Sequence, residues 1–199
     1  CYRIVALVSK GEFDTAYAAA RQVASTPIPE KRPASPGTRI LWWEAKTLPA
    51  RVLLHRGFKG NAEEASKSLP PAKSTVSIRK ESLANWWIDG LRIALEVQRL
   101  IDKEELTTAR EVLNALAQHG EMMSKTQKDA SITGERSEWT RAFRALEVLA
   151  SDLHGKLTMA GPAAKRDLAY NWFASATDRQ LPATMLNPPM LLTPMASHL

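Results

Sequence analysis

The stretch that decides the fold is NWWIDGLRIALEVQRLIDKEELTTAREVLNALAQH, residues 85–119. Its apolar residues recur at spacings of three and four, which is the periodicity of an amphipathic helix. The pattern stops at Lys103 and resumes immediately afterwards. We therefore predict a helical hairpin, with one helix over 81–101, a short turn and a second helix over 103–119.

The turn of this hairpin belongs to a short motif that occurs three times. Each copy follows one apolar helical run and opens another, and each has alanine at its seventh position. The copies are KGEFDTA from Lys10 to Ala16, KGNAEEA from Lys59 to Ala65 and KEELTTA from Lys103 to Ala109. A motif repeated at this spacing indicates a stack of similar hairpins.

Residues before the last two motifs also repeat, at an offset of 44 positions. The matching pairs are Trp42 and Trp86, Trp43 and Trp87, Ala50 and Ala94, and Leu53 and Val97. A small residue lets two helix backbones approach closely, while a bulky ring fills the space beside them. This arrangement is typical of tetratricopeptide-like solenoids, although the spacing is looser than the regular repeat of about 34 residues.

The same patterns predict three further hairpin regions and four loops. A first hairpin covers 2–25 with its turn near Lys10 and Gly11, a second has helices over 39–56 and 61–69, and a last pair covers 137–157 and 162–177. Pro49 is expected to kink or restart its helix, Ser82 is a candidate N-cap, and Pro162 suits a first helical turn. Loops are expected at 25–38, 68–75, 124–136 and 160–164.

The predicted fold is therefore all-α, with antiparallel hairpins stacked in one domain over 1–178. Runs of β-branched residues with the alternation of a strand are absent. Residues 179–199 contain four prolines and three methionines, so they form an irregular tail. Because this tail is apolar, we expect it to pack on the body or on a partner subunit.

Composition and charge exclude several classes of protein. The net charge of +6 over 199 residues is moderate, and the basic residues are scattered, so we expect no nucleic-acid partner. The single cysteine, Cys1, permits no internal disulfide, which fits a cytoplasmic protein. No apolar stretch approaches 18 residues, so no membrane insertion is expected.

Residue patterns that carry chemistry are also missing from the sequence. The four histidines, at 55, 119, 154 and 198, show no metal-ligand spacing, and we interpret each as a solvated residue of a helix end or loop. There is no nucleophile elbow and no phosphate-binding glycine loop. Glu63-Glu64 and Glu104-Glu105 are expected in first helical turns, where they complement the helix dipole. We expect no enzymatic activity, no cofactor and no metal.

The paired tryptophans need a separate explanation. Adjacent helical residues point about 100° apart, so Trp86 and Trp87 cannot share one narrow stripe. One is expected to pack into its own hairpin and the other to face the next repeat or a partner. Burial of both as core between repeats is favoured, and the alternative is that one stays exposed until a second subunit covers it. Asp89 and Arg92 can pair across one turn. Gly90 costs about 1 kcal/mol relative to alanine, which indicates close contact with a neighbouring helix.

This element resembles the middle region of the TssA/ImpA-related proteins of the bacterial type VI secretion system. That family shows a Trp-apolar-Asp-Gly-x-Arg element before an apolar helix, matched here by Trp87, Ile88, Asp89, Gly90 and Arg92. The resemblance covers residues 10–139. The earlier copy has Glu44 and Ala45 where Asp-Gly is expected, and DASITGERSEW keeps only Gly134 and Trp139 of another family stretch.

The resemblance implies a structural function. Proteins of the TssA type form symmetric oligomers in the cytoplasm and coordinate the baseplate with the tail tube and sheath. The chain then corresponds to a middle domain that self-associates, as a dimer, and contacts baseplate, tube and sheath proteins. The residues expected to pack or interact are Trp42, Trp43, Trp86, Trp87, Asp89, Gly90, Arg92, Trp139 and Trp172.

Two other functions remain open at this point. A tetratricopeptide-like adaptor would bind a peptide or partner protein in a concave groove, and a groove lined by Asn, Lys and Arg would favour it. A helical hydrolase module would need a pocket with converging titratable groups, which nothing in the sequence predicts.

Overall fold

The computed structural model describes residues 2–27, 36–56, 59–70, 83–129, 136–162 and 168–175. These residues contain helices and turns but no strand. The helices are α1 (Tyr2–Ser9), α2 (Phe13–Ser25), α3 (Pro36–Arg56), α4 (Asn61–Ser68), α5 (Leu83–Asp102), α6 (Leu106–Asp129), α7 (Arg136–Ala160) and a last short helix, α8 (168–175).

Consecutive helices pack as hairpins, and the hairpins stack in chain order. α1 packs on α2, α3 on α4 and α5 on α6, while the contacts of α2 with α3 and of α4 with α5 join one hairpin to the next. α7 packs on both α5 and α6, so these three helices form a bundle at the C-terminal side. The prediction of an all-α fold of stacked hairpins is confirmed.

The three repeated motifs form the three hairpin turns. The second residue of each motif has a left-handed backbone: Gly11 (φ 76°), Gly60 (φ 88°) and Glu104 (φ 64°). In the first turn the Glu12 amide donates to the Leu7 carbonyl, and in the third the Glu105 amide donates to the Leu100 carbonyl, both at 2.9 Å. These are the bonds of a Schellman motif, which ends a helix at a left-handed residue.

The repeated alanines lie in the interior of the stack. Ala16, Ala65 and Ala109 are all fully buried, at 0% exposure. Of the residues that repeat at an offset of 44, Ala50, Leu53, Trp87, Ala94 and Val97 are buried, whereas Trp86 is partly buried. The repetition in the sequence is therefore a repetition of buried contact positions, as predicted.

The apolar core divides into a large and a small cluster. The large one draws on α3 to α7 and centres on residues such as Leu53, Ile88, Leu95, Leu113 and Leu153. The smaller cluster joins the first hairpin to α3, and its buried members are Ile4, Ala16, Ala20, Leu48 and Val52. Because α3 contributes to both clusters, it ties the first hairpin to the rest of the stack.

Some predicted boundaries were wrong. α3 is continuous across Pro49, which rules out a restart of the helix but does not test the other predicted outcome, a kink. α6 continues beyond His119 to Asp129, so half of the polar loop predicted at 124–136 is helical. Residues 121–129 contain neither proline nor glycine, and polar residues alone do not end a helix.

Two predicted helix starts also need correction. Glu63 and Glu64 lie in the first turn of α4 as expected, but Glu104 and Glu105 precede α6. Pro162 is not helical. Ser82, most of the first proline-rich loop and the tail at 179–199 lie outside the described residues, so the predictions for them remain untested.

Candidate functional site

Trp87 packs between two hairpins. Its indole is 4% exposed, and its Nε1 donates to Thr47 Oγ1 of α3 at 3.4 Å. The guanidinium carbon of Arg51, also on α3, lies 5.4 Å from the centre of the indole ring. Trp87 therefore connects α5 to the preceding hairpin through an apolar surface, a hydrogen bond and a cation–π contact.

Trp86 faces a different helix. Its ring centre lies 4.8 Å from that of His119 on α6, and His119 Nε2 is 2.8 Å from the Trp86 carbonyl oxygen. Trp86 Nε1 is buried and has no hydrogen-bond partner among the described residues. Trp86 thus packs within its own hairpin, as expected for one of the two indoles. Trp87 packs against the preceding hairpin, whereas the next repeat or a partner had been expected.

The interpretation of the histidines as solvated residues was wrong for two of them. His119 lies within α6 and His154 within α7, and both are half-buried. Each ring is covered by an indole, Trp86 in one case and Trp172 in the other. Single histidines carry no periodicity that would reveal such a partner. The His55 side chain and His198 lie outside the described part of the chain.

Gly90 shows why the tryptophan element is pressed against another helix. A Cβ at this position would stand 2.7 Å from Leu146 Cδ1 of α7 and 3.4 Å from the His119 ring. Two residues later, Arg92 pairs with the exposed Asp89 at 2.7 Å and donates to the Pro70 carbonyl. Arg92 thus holds the end of the second hairpin against α5, while Gly90 lets α7 approach.

A groove of about 310 Å³ runs between α4 and α5, beside this element. Leu95 contributes the apolar part of its lining, and charged side chains from both helices surround it. These are Glu63, Lys67, Arg92, Glu96 and Arg99. The groove therefore presents three cations and two anions around a small apolar surface.

The acids of the groove are held in their charged form by neighbouring cations. Lys67 lies 3.0 Å from Glu63, and its hydrogen bond and charge lower the pKa of the Glu63 carboxyl. Arg99 Nε donates to Glu96 at 2.7 Å and likewise lowers the pKa of Glu96. Because the pKa of each carboxyl is lowered, Glu63 and Glu96 are ionised near neutral pH. The groove therefore offers charged side chains of both signs to a ligand.

The last helix pair forms a second candidate surface. His154 of α7 stacks on Trp172 of α8, with ring centres 4.4 Å apart and planes 14° apart, and burial lowers the pKa of His154. Phe173 packs over Gly155, where a Cβ would stand only 2.4 Å from the Phe173 ring. The same pair carries four apolar residues that remain exposed, Met159, Leu168, Tyr170 and Trp172, and we call these four residues together the terminal face.

The predicted interaction residues are thus distributed over two places. Trp86, Trp87, Asp89, Gly90 and Arg92 form one contiguous element on α5, whereas Trp172 lies on the terminal face. The side chains of Trp42, Trp43 and Trp139 lie outside the described residues.

Sequence reasoning missed the partners of Trp87, which are Thr47 and Arg51. At the offset of 44, Thr47 and Arg51 correspond to Leu91 and Leu95. The repeat therefore predicted apolar contacts at these positions and not a hydrogen bond and a cation.

Comparison with protein-family models, with curated proteins and with solved structures finds no match to this chain. None of the helices in the described ranges is long and apolar enough to span a membrane. The same ranges contain no group of three or more His, Cys, Asp or Glu placed to hold a metal ion.

Proposed function

We propose that this chain is a structural assembly domain that associates with further copies of itself through the terminal face. The observation that carries this proposal is the position of its exposed apolar residues. Of the five large apolar side chains that are well exposed among the described residues, four lie on α7 and α8; the fifth is Met122 on α6. Apolar surface concentrated in this way marks an interaction site.

The architecture supplies a physical reason for such a face. In a stack of hairpins each unit covers the apolar side of its neighbour, so apolar side chains that no helix covers are available for contact with another molecule. The helix pair α7–α8 leaves Leu168 and Trp172, four residues apart on one helical side, open to solvent. Two copies that meet around a twofold axis would cover both faces at once.

The resemblance of the Trp87–Arg92 element to TssA/ImpA-related proteins suggests which apparatus this domain would help to assemble. In the proposed setting the domain is cytoplasmic, dimerises, and helps to coordinate the baseplate with the tube and sheath of a type VI secretion apparatus. Co-purification with tube and sheath proteins tests this setting, and recovery of unrelated partners only would contradict it.

Sedimentation velocity across a range of concentrations tests self-association directly. We expect a monomer–dimer equilibrium for the chain and a monomer for Leu168→Glu, because a carboxylate cannot be buried unpaired in an apolar interface. Met122→Glu is the matched control, since it places the same charge on an exposed apolar position of α6. A chain that stays monomeric at the highest concentration, or that dimerises equally well with Leu168→Glu, contradicts the proposal.

A second candidate function is a peptide-binding adaptor that uses the groove between α4 and α5. The observation that favours it is the lining of the groove by Lys67, Arg92 and Arg99 around the apolar Leu95, since charged groups beside apolar surface provide both orientation and affinity. Selection from a peptide library tests it. Arg99→Glu is expected to change the charge of the selected peptides, whereas Lys125→Glu, on an exposed part of α6, is not.

A further inference from the structure

A fully buried acidic residue, Asp152, lies in the middle of α7. It is 0% exposed, and its Oδ2 lies 2.8 Å from Lys156 Nζ one turn later. Neither carboxylate oxygen has a well-directed hydrogen bond within the described part of the chain. Burying an ion pair costs desolvation free energy unless further hydrogen bonds satisfy its polar atoms. The other hydrogen bonds of Lys156 are therefore important.

Lys156 begins a line of polar contacts that leaves α7. Its Nζ donates to Gln98 Oε1 of α5 at 3.2 Å, and Gln98 Nε2 donates to Asp102 Oδ1 at 2.8 Å. The other oxygen of Asp102 accepts the backbone amide of Gly60 at 3.0 Å. This polar line therefore runs from α7 across α5 to the turn that opens α4.

The chemistry of its members gives the polar line a fixed direction. A lysine only donates and an ionised carboxylate only accepts, so Gln98 must turn its oxygen towards Lys156 and its nitrogen towards Asp102. If Lys156 moves, the Gln98 amide loses the partner that sets this orientation. Linked hydrogen bonds of this kind polarise and support one another.

The two ends of the polar line are adjacent in sequence to residues of the two candidate surfaces. Asp152 and Lys156 flank His154 and Gly155, which carry the contacts of α7 with Trp172 and Phe173. At the other end, Gly60 immediately precedes α4, whose Glu63 and Lys67 line the groove.

We propose that the polar line couples the terminal face to the groove, so that covering α8 changes how firmly the start of α4 is held against α5. A role for this coupling in assembly rests on the proposed function, because it requires that a second copy covers the terminal face. The coupling itself is a property of one chain and can be measured on the monomer.

Amide exchange at Gly60, followed by NMR at a concentration where the chain is monomeric, tests the coupling. The double variant Asp152→Asn/Lys156→Met removes the ion pair without leaving a lone buried charge. Neither side chain is among the contacts of Gly60, yet we expect its amide to exchange about fivefold faster, the factor that corresponds to one lost hydrogen bond.

Two controls make the result specific. Asp102→Ala removes the acceptor of the Gly60 amide and must accelerate its exchange. Glu96→Gln/Arg99→Met removes an ion pair from the same part of α5 but leaves the polar line intact, so Gly60 should be unaffected. If Asp102→Ala accelerates the exchange and the double variant does not, the coupling is wrong.

A second variant keeps the test valid if the double variant does not fold. Gln98→Met breaks the polar line at its centre with a side chain of similar size. We expect changes at both ends, in the Gly60 amide and in the Trp172 indole resonance, and a change at Gly60 alone refutes the coupling. Failure to dimerise with the coupling intact would contradict only the proposed function.

Discussion

Gly90 of α5 and Leu146 of α7 approach so closely that a Cβ on residue 90 would lie 2.7 Å and 2.8 Å from the two terminal carbons of the leucine. Leu146 is itself buried, so it cannot move aside without displacing its neighbours. The glycine in Trp-Ile-Asp-Gly is therefore a requirement of helix packing.

Gly90→Ala is expected to destabilise the protein by up to about 2 kcal/mol. Alanine gains about 1 kcal/mol of helix propensity, but overpacking a buried contact costs about 1–3 kcal/mol. Urea denaturation measures the difference. Gly120→Ala is the control, because a Cβ there meets the Phe143 ring at an ordinary 3.5 Å; equal effects at the two positions would refute the packing explanation.

Ala109→Leu should destabilise the stack by at least about 1–3 kcal/mol, since the residue is fully buried and a larger side chain would force α6 away from α5. Ala115→Leu, at an exposed position of the same helix, should stay within about 0.5 kcal/mol of the parent. Thermal unfolding compares the two variants, and similar melting temperatures would show that Ala109 is not a close contact.

Glu104→Gly should stabilise the third turn by about 1 kcal/mol, because a left-handed backbone is strained for any residue with a Cβ. The variant loses only the exposed contact with Lys59 at 4.0 Å, which contributes little. The reverse change at the equivalent position, Gly11→Ala, should be destabilising by a similar amount. Denaturation of both variants provides the check, and a destabilising Glu104→Gly would contradict it.

Phenylalanine substitutions separate the two tryptophans. Trp87→Phe loses the hydrogen bond to Thr47 and should cost about 1 kcal/mol more than Trp86→Phe, which removes an N–H that lacks a partner in the described residues. Chemical denaturation of the two variants measures this difference. A larger loss for Trp86→Phe would mean that the two indoles have been assigned the wrong roles.

The stability of the protein is expected to fall in acid because of the half-buried imidazole of His154. Burial lowers the pKa of His154, so the unfolded chain binds its proton more readily than the folded chain does. Stability should therefore be full above the ordinary histidine value of about 6.5 and fall as the pH drops below it. Urea denaturation between pH 7.5 and about pH 5 measures this loss, and His154→Phe, which keeps a ring but cannot titrate, should reduce it.

Local features were predictable from the sequence because their causes are local. The apolar spacing determines which segments become helices, and Gly11 and Gly60 mark turns because they tolerate a left-handed backbone. The buried alanines followed from the repeated motif. The end of α6 was missed because its final turns carry no strong stop signal, and Glu104 shows that even a glutamate can occupy a left-handed turn position.

Contacts between hairpins depended on the tertiary structure. Gln98 and Lys156 lie 58 residues apart and Trp87 and Thr47 lie 40 apart, and no spacing rule connects residues at such separations. The sequence by itself determined the helices and the hairpin turns, since these arise from interactions between near neighbours, and its repeats predicted that the hairpins stack. Only the packing of α7 and α8 decided which apolar residues stay exposed and how the polar line crosses α5, because burial depends on the whole chain.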